Sequence, residues 1–144
     1  KKAVSLLLSL LLVGACVSAS AGQGMPPDAI VSYLQTSFKG GDSTVYEFSY
    51  DADNDRYFVM LTVNGMADIA SMVYNEGKYG ELWNGVRAWM IGLSDTFINL
   101  IAIFGANEAP TLLLFLNDET NPDSTLLFLQ DSVIQFDFTL EGEL

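Results

Sequence analysis

Histidine is absent from this chain of 144 residues, and cysteine occurs once, at Cys16. Those shortages remove whole chemistries. A Cys or His zinc site cannot be assembled from one thiol, and a Ser-His-Asp triad has no imidazole base. A single thiol forms no internal disulfide, and it is the only sulfur nucleophile. Cations are also scarce, six Lys and Arg against 18 Asp and Glu. Every carboxylate lies at or after Asp28. In that region only Lys39, Arg56, Lys78 and Arg87 oppose the 18 acids, which gives a formal charge of −14. Phosphate backbones are held by clustered Lys and Arg, so nucleic acid is excluded as a partner. An anionic membrane surface would repel the same region. An acidic excess of this kind suits solubility in a salty exterior.

What is present is a globular composition. Half of the residues are apolar and 12% are aromatic, the opposite of a disordered chain. The length favours one domain. Residues 1–21 read as an export signal. Lys1 and Lys2 make a short positive n-region. Ala3 to Val13 is an apolar h-region, shorter than the ~20 residues a spanning helix needs. Two cleavage points compete. Ala19-Ser20-Ala21 is an A-x-A pattern ahead of Gly22. Val13-Gly14-Ala15-Cys16 resembles a bacterial lipobox, with Val13 where Leu is usual. That resemblance implies that Cys16 is lipidated and becomes the mature N-terminus. The expected destinations are the outer face of the cytoplasmic membrane, reached through that anchor, or free secretion.

Residues 22–144 read as a single α+β domain. Pro26-Pro27-Asp28 opens a helix whose buried face is Ile30, Tyr33, Leu34 and Phe38, and Gly40-Gly41 ends it. Tyr46, Phe48 and Tyr50 alternate with Val45, Glu47 and Ser49, and Tyr57, Val59, Leu61 and Val63 alternate with Phe58, Met60 and Thr62. The run from Asp51 to Asp55 joins these two strands as a hairpin. A second helix covers roughly Met66 to Tyr74. The third carries a stripe of Leu82, Val86, Trp89, Leu93, Phe97, Leu100 and Phe104. Thr111 to Leu116 is nearly all apolar and reads as a central strand. Two further strands, Thr125 to Leu129 and Val133 to Thr139, flank a tight turn at Asp131-Ser132, with Ile134, Phe136 and Phe138 on one face. The order α-β-β-α-α-β-β-β implies a two-layer α+β domain, an antiparallel sheet of about five strands packed by three helices.

Val63-Asn64-Gly65-Met66-Ala67, then Leu82-Trp83-Asn84, then Leu116-Asn117-Asp118 with Leu126-Leu127 and Asp137, resemble an uncharacterised small exported α+β domain of Gram-positive bacterial lipoproteins. The resemblance covers about 75 residues. It departs at the last hairpin, where Ser132 and Phe136-Asp137 stand in place of Gly and Tyr-Asp. It implies export and fold, and it carries no established activity, cofactor or site.

Candidate sites are few. Asp51, Asp53 and Asp55 are spaced to converge on calcium, yet an EF-hand loop needs Gly and Glu where Arg56 and Thr62 stand. Asp and Asn at a hairpin tip serve turn geometry equally well. Asp118, Glu119 and Asp123 form a second acidic loop, read as a turn-rich connection. Lys39 and Lys78 sit outside any S-x-x-K motif. Trp83 and Trp89 suit a core or an aromatic groove. Ile91 and Ile98 on the back of the third helix add apolar surface that a neighbour or a partner must cover. The sequence therefore points to a non-catalytic exported interaction module of the cell envelope, using Trp83, Trp89, Ile91 and Ile98 on a protein partner or a second copy. The alternative is an envelope-acting hydrolase of carboxylate or Ser/Thr type. No cofactor is called for. Intact mass spectrometry of the chain recovered from a producing cell is expected to show a mature N-terminus at lipid-modified Cys16 or at free Gly22. A retained Lys1 would defeat the export reading.

Overall fold

The computed structural model describes residues 24–107 and 109–140. The export segment, with Cys16 and both cleavage points, lies outside these residues, as does the tail from Glu141. The elements are α1 (Pro27–Ser37), β1 (Thr44–Asp51), β2 (Arg56–Val63), α2 (Met66–Glu76), α3 (Gly80–Gly105), β3 (Thr111–Asn117), β4 (Thr125–Gln130) and β5 (Val133–Asp137). A 3₁₀ turn at Phe138–Leu140 follows β5. The class is α+β, and the element order agrees with the pattern in the sequence.

The five strands lie side by side in chain order. β1–β2, β3–β4 and β4–β5 are antiparallel, but β2 and β3 run parallel, with Arg56 beside Thr111 and Leu61 beside Leu116. The expected antiparallel sheet is thus corrected to a mixed one. The cause is the connection between β2 and β3. α2 and the 26-residue α3 carry the chain back to the end where β2 began, and from there a neighbouring strand runs parallel. β3 holds the centre of the sheet, and Leu112, Leu113, Leu114 and Leu116 on it are all buried.

The strand period of two sends Tyr57, Val59, Leu61, Leu112, Leu114, Leu116, Leu127 and Leu129 to the face on which the helices pack. α1 contributes Ile30 and Leu34 to that core, and α3 contributes Trp83, Val86, Met90, Phe97 and Ile101. Phe97 meets Phe38 at 5.1 Å and Phe48 at 5.3 Å between ring centroids, both edge-on, the arrangement aromatic quadrupoles favour. The buried stripe of α3 is rotated from the one read in the sequence. Leu82 and Trp89 are exposed at 51% and 39%, while Trp83, Met90 and Ser94 are fully buried. The helix is apolar over a wide arc, and tertiary hydrogen bonds to Trp83 and Ser94 choose between two adjacent stripes.

Two side chains finish backbone that the elements leave open. Gln35 of α1 donates to the Tyr46 carbonyl (2.9 Å) and accepts from the Phe48 amide (3.0 Å). It thereby occupies the free edge of β1 as a short strand would. α2 starts at Gly65, which has no side chain to cap it. Its first amides are taken instead by Glu119 from the β3–β4 loop, at 2.7 Å from Gly65 N–H and 3.1 Å from Ala67 N–H. The carboxylate satisfies two orphan donors and sits at the positive end of the helix dipole. Replacing Glu119 by Ala is expected to destabilise the fold by about 1 kcal/mol, with E119Q losing less. Urea denaturation measures both, and an unchanged midpoint for E119A would remove this role.

Candidate functional site

The sheet face opposite the helices carries the residues that alternate with the core set. In register across it lie Glu47 of β1, Met60 of β2, Phe115 of β3, Phe128 of β4 and Phe136 of β5. Phe58, on the next rung, stacks against Phe115 with centroids 6.3 Å apart, and Phe115 stacks on Phe128 at 4.5 Å. The planes are within 6° and 8° of parallel. The flat faces of these rings are therefore turned on one another, and the Arg56 guanidinium lies over Phe58 at 5.6 Å. The stacked Phe115 and Phe128 rings therefore present edges outward. Phe115, Phe128, Phe136 and Phe138, with Asp123, Ser124 and Thr125, line an open depression of about 440 Å³. Met60 is 37% exposed beside it.

Phe136 joins the row only because β5 is bulged. Leu129 pairs with Ile134 but Phe128 pairs with Phe136, so Gln135 is an extra residue. The expected grouping of Ile134, Phe136 and Phe138 on one face is corrected accordingly. Ile134 packs on the core, Phe136 faces the opposite way, and Phe138 belongs to the 3₁₀ turn, 5.2 Å from Tyr74. A one-residue insertion reverses the alternation from that point on.

The force that holds this register is a buried carboxylate. Asp137 points into the helix side, its side chain 2% exposed. It accepts from Trp83 Nε1 at 3.0 Å, Arg87 Nε at 2.6 Å, Thr139 N–H at 2.9 Å and Thr139 Oγ1 at 2.7 Å. Arg87 also donates to Asn84 Oδ1 (2.5 Å) and to Thr139 Oγ1 (2.9 Å). Burial disfavours the charge on Asp137, but the donors from Arg87, Thr139 and Trp83 outweigh it and hold the carboxyl below its ordinary pKa. At the other end of β5 the Asp131-Ser132 turn has both residues at positive φ, 49° and 66°, the geometry of a type I′ hairpin. Ser94 and Asp95 of α3 hold it through the Ser132 amide and hydroxyl. α3 thus clamps β5 at both ends.

The residues singled out in the sequence fall in several places. Trp83 is a core side chain with its indole N–H on Asp137. Trp89 is part-exposed on α3, whereas Ile91 and Ile98 are half-buried against the core. Asp51 closes its own hairpin. It accepts from the Asp53 and Asn54 amides, the Asn54 side chain and Arg56, and the Asn54 side chain leads in lowering its pKa. Asp55 accepts from the Tyr50 hydroxyl at 2.6 Å, which pushes that phenol up to about 12. Among the described residues no three Asp, Glu, Cys or His side chains converge on one point. In the second acidic loop Asp118 accepts from the Thr120 hydroxyl and from the Thr120 and Asn121 amides, which lower its pKa. α3 has the length and mean hydropathy of a membrane span, and its buried face packs on the sheet. The open-face row was missed. Its only trace in the sequence is that Phe58, Met60, Phe115 and Phe128 occupy the positions left after each strand's inward residues are assigned; Phe136 left none, because simple alternation groups it with Ile134.

No family model, curated protein or solved structure matches the chain.

D137N leaves the Arg87 charge without its counter-ion and is expected to cost about 3 kcal/mol. The sign of the pH dependence follows from the lowered pKa. Asp137 contributes stability above the unfolded value of about 3.9, and that contribution is lost as pH falls through the folded value. Denaturation of the wild type and D137N between pH 7 and pH 2 is expected to converge at the acid end. A constant gap between them would contradict this assignment.

Proposed function

We propose that the chain is a two-layer, non-catalytic recognition domain, exported and held outside the cell by lipid at Cys16 or released by cleavage before Gly22. It binds a protein partner through the open face of its sheet. The observation that carries the reading is the row Met60, Phe115, Phe128 and Phe136, an apolar strip on a sheet face that no helix among the described residues covers. Large side chains at part-exposed positions in a contiguous strip mark interaction surfaces. The ring geometry favours a protein over a sugar. Carbohydrate docks on the flat face of an aromatic ring, and here Phe115 has Phe58 and Phe128 stacked on it. Edges are suited to aliphatic side chains and to the faces of a partner's rings.

The β1 edge supports the same assignment, since the Gln35 amide and the Gly41–Thr44 bridge already occupy part of it. Strand addition there would have to displace them. The buried acid, Asp137, is neutralised by Arg87 and by hydroxyl, amide and indole donors, which suits a structural strut and not a proton shuttle. The relation to export rests on the leader and the acidic surface read from the sequence.

A photo-reactive phenylalanine at Met60 is expected to cross-link a partner protein in producing cells, whereas the same probe at Leu82 on α3 captures none. Capture from Leu82 alone would transfer the surface to the helix side.

A further inference from the structure

The row on the open face also has charge beside it. Glu47, exposed on β1, stands in register with Met60. Asp123, also exposed, lies in the β3–β4 loop and lines the depression on that flank of the row with Phe115, Phe128, Phe136 and Phe138. Arg56 does not offset them, because Asp51 holds it at 3.2 Å. The face is an apolar strip with one carboxylate at its β1 end and a second beside it, at the β3–β4 loop.

That arrangement limits the occupant. A second copy would bring Glu47 and Asp123 of one chain against the same acids of the other, within domains of formal charge −14 from four cations and 18 acids. An anionic lipid surface is repelled in the same way. An extended peptide lying across the row would leave its backbone amides over phenylalanine rings, without partners. A helix satisfies its own backbone and offers one apolar stripe. Five strands at a spacing of roughly 4.8 Å make the row about 19 Å long, which a helix covers in about 13 residues. We infer that the open face receives an amphipathic helix of a partner protein, with one apolar stripe bordered by Lys or Arg. This rests on the open face being the interaction surface.

Three synthetic helix-forming peptides of about 14 residues test it. They share one Leu/Ala stripe, bordered by Lys, Gln or Glu. Binding to the full chain is read by fluorescence anisotropy at low salt, alongside light scattering of the chain alone. The Lys-bordered peptide is expected to bind at least ten-fold more tightly than the other two. The E47K/D123K variant changes only exposed side chains, and it should reverse that order with an unchanged circular dichroism spectrum. M60E should abolish binding of all three. Equal binding of the Lys and Gln peptides, with M60E still abolishing it, would overturn the charge rule and leave the surface assignment standing. Binding that ignores M60E, or no binding by any peptide, would overturn both. A dimer dispersed by M60E would make a second copy the occupant and overturn the inference.

Discussion

Burial of one carboxylate sets the register on which the open face of the sheet depends. Asp137 is surrounded by core, and a charge there is tolerable only with its acceptor positions filled. Trp83 and Arg87 from α3, together with Thr139, fill them. Once Asp137 is fixed inward, the residue before it on the strand must face outward. That residue is Phe136, the end of the apolar row. The bulge at Gln135 is the local adjustment that lets Ile134 remain with the core while Asp137 meets its partners. An ion pair on one side of the sheet therefore decides what the other side displays.

The acidic side chains also have a structural role that composition conceals. Asp51, Asp118, Glu119, Asp131 and Asp137 each accept from at least one backbone amide. They organise the β1–β2 hairpin, the β3–β4 loop, the start of α2, the β4–β5 turn and the end of β5. Carboxylates suit this work because each offers two acceptor oxygens and interacts strongly with a peptide N–H. Part of the excess read as a surface for solubility thus stabilises turns and caps, while Glu47 and Asp123 remain exposed beside the aromatic row.

Element positions were legible because they rest on local physics. Pro27 and Asp28 open α1, Gly65 and Gly77 bound α2, and Asp131-Ser132 turns the last hairpin. The buried face of α3 was harder to read, since two neighbouring stripes are both largely apolar. What separates them is Ser94, whose hydroxyl meets the Ser132 amide 38 residues away. The parallel pairing of β2 and β3 had a trace in the two intervening helices, but their packing decides where the chain returns. The open-face row left almost none. Its members lie on four strands, and each strand contributes only one or two of them.

The sequence by itself determined the element order, the central place of β3, the lack of imidazole and thiol chemistry beyond Cys16, and the acidic balance. These follow from composition and from periodicities of a few residues. Only the tertiary structure decided the strand directions, the orientation of α3, the inward turn of Asp137 and hence the outward row of phenylalanines. Each of these depends on contacts between residues tens of positions apart, where hydrogen-bond satisfaction in the core selects among arrangements that local propensity leaves equivalent.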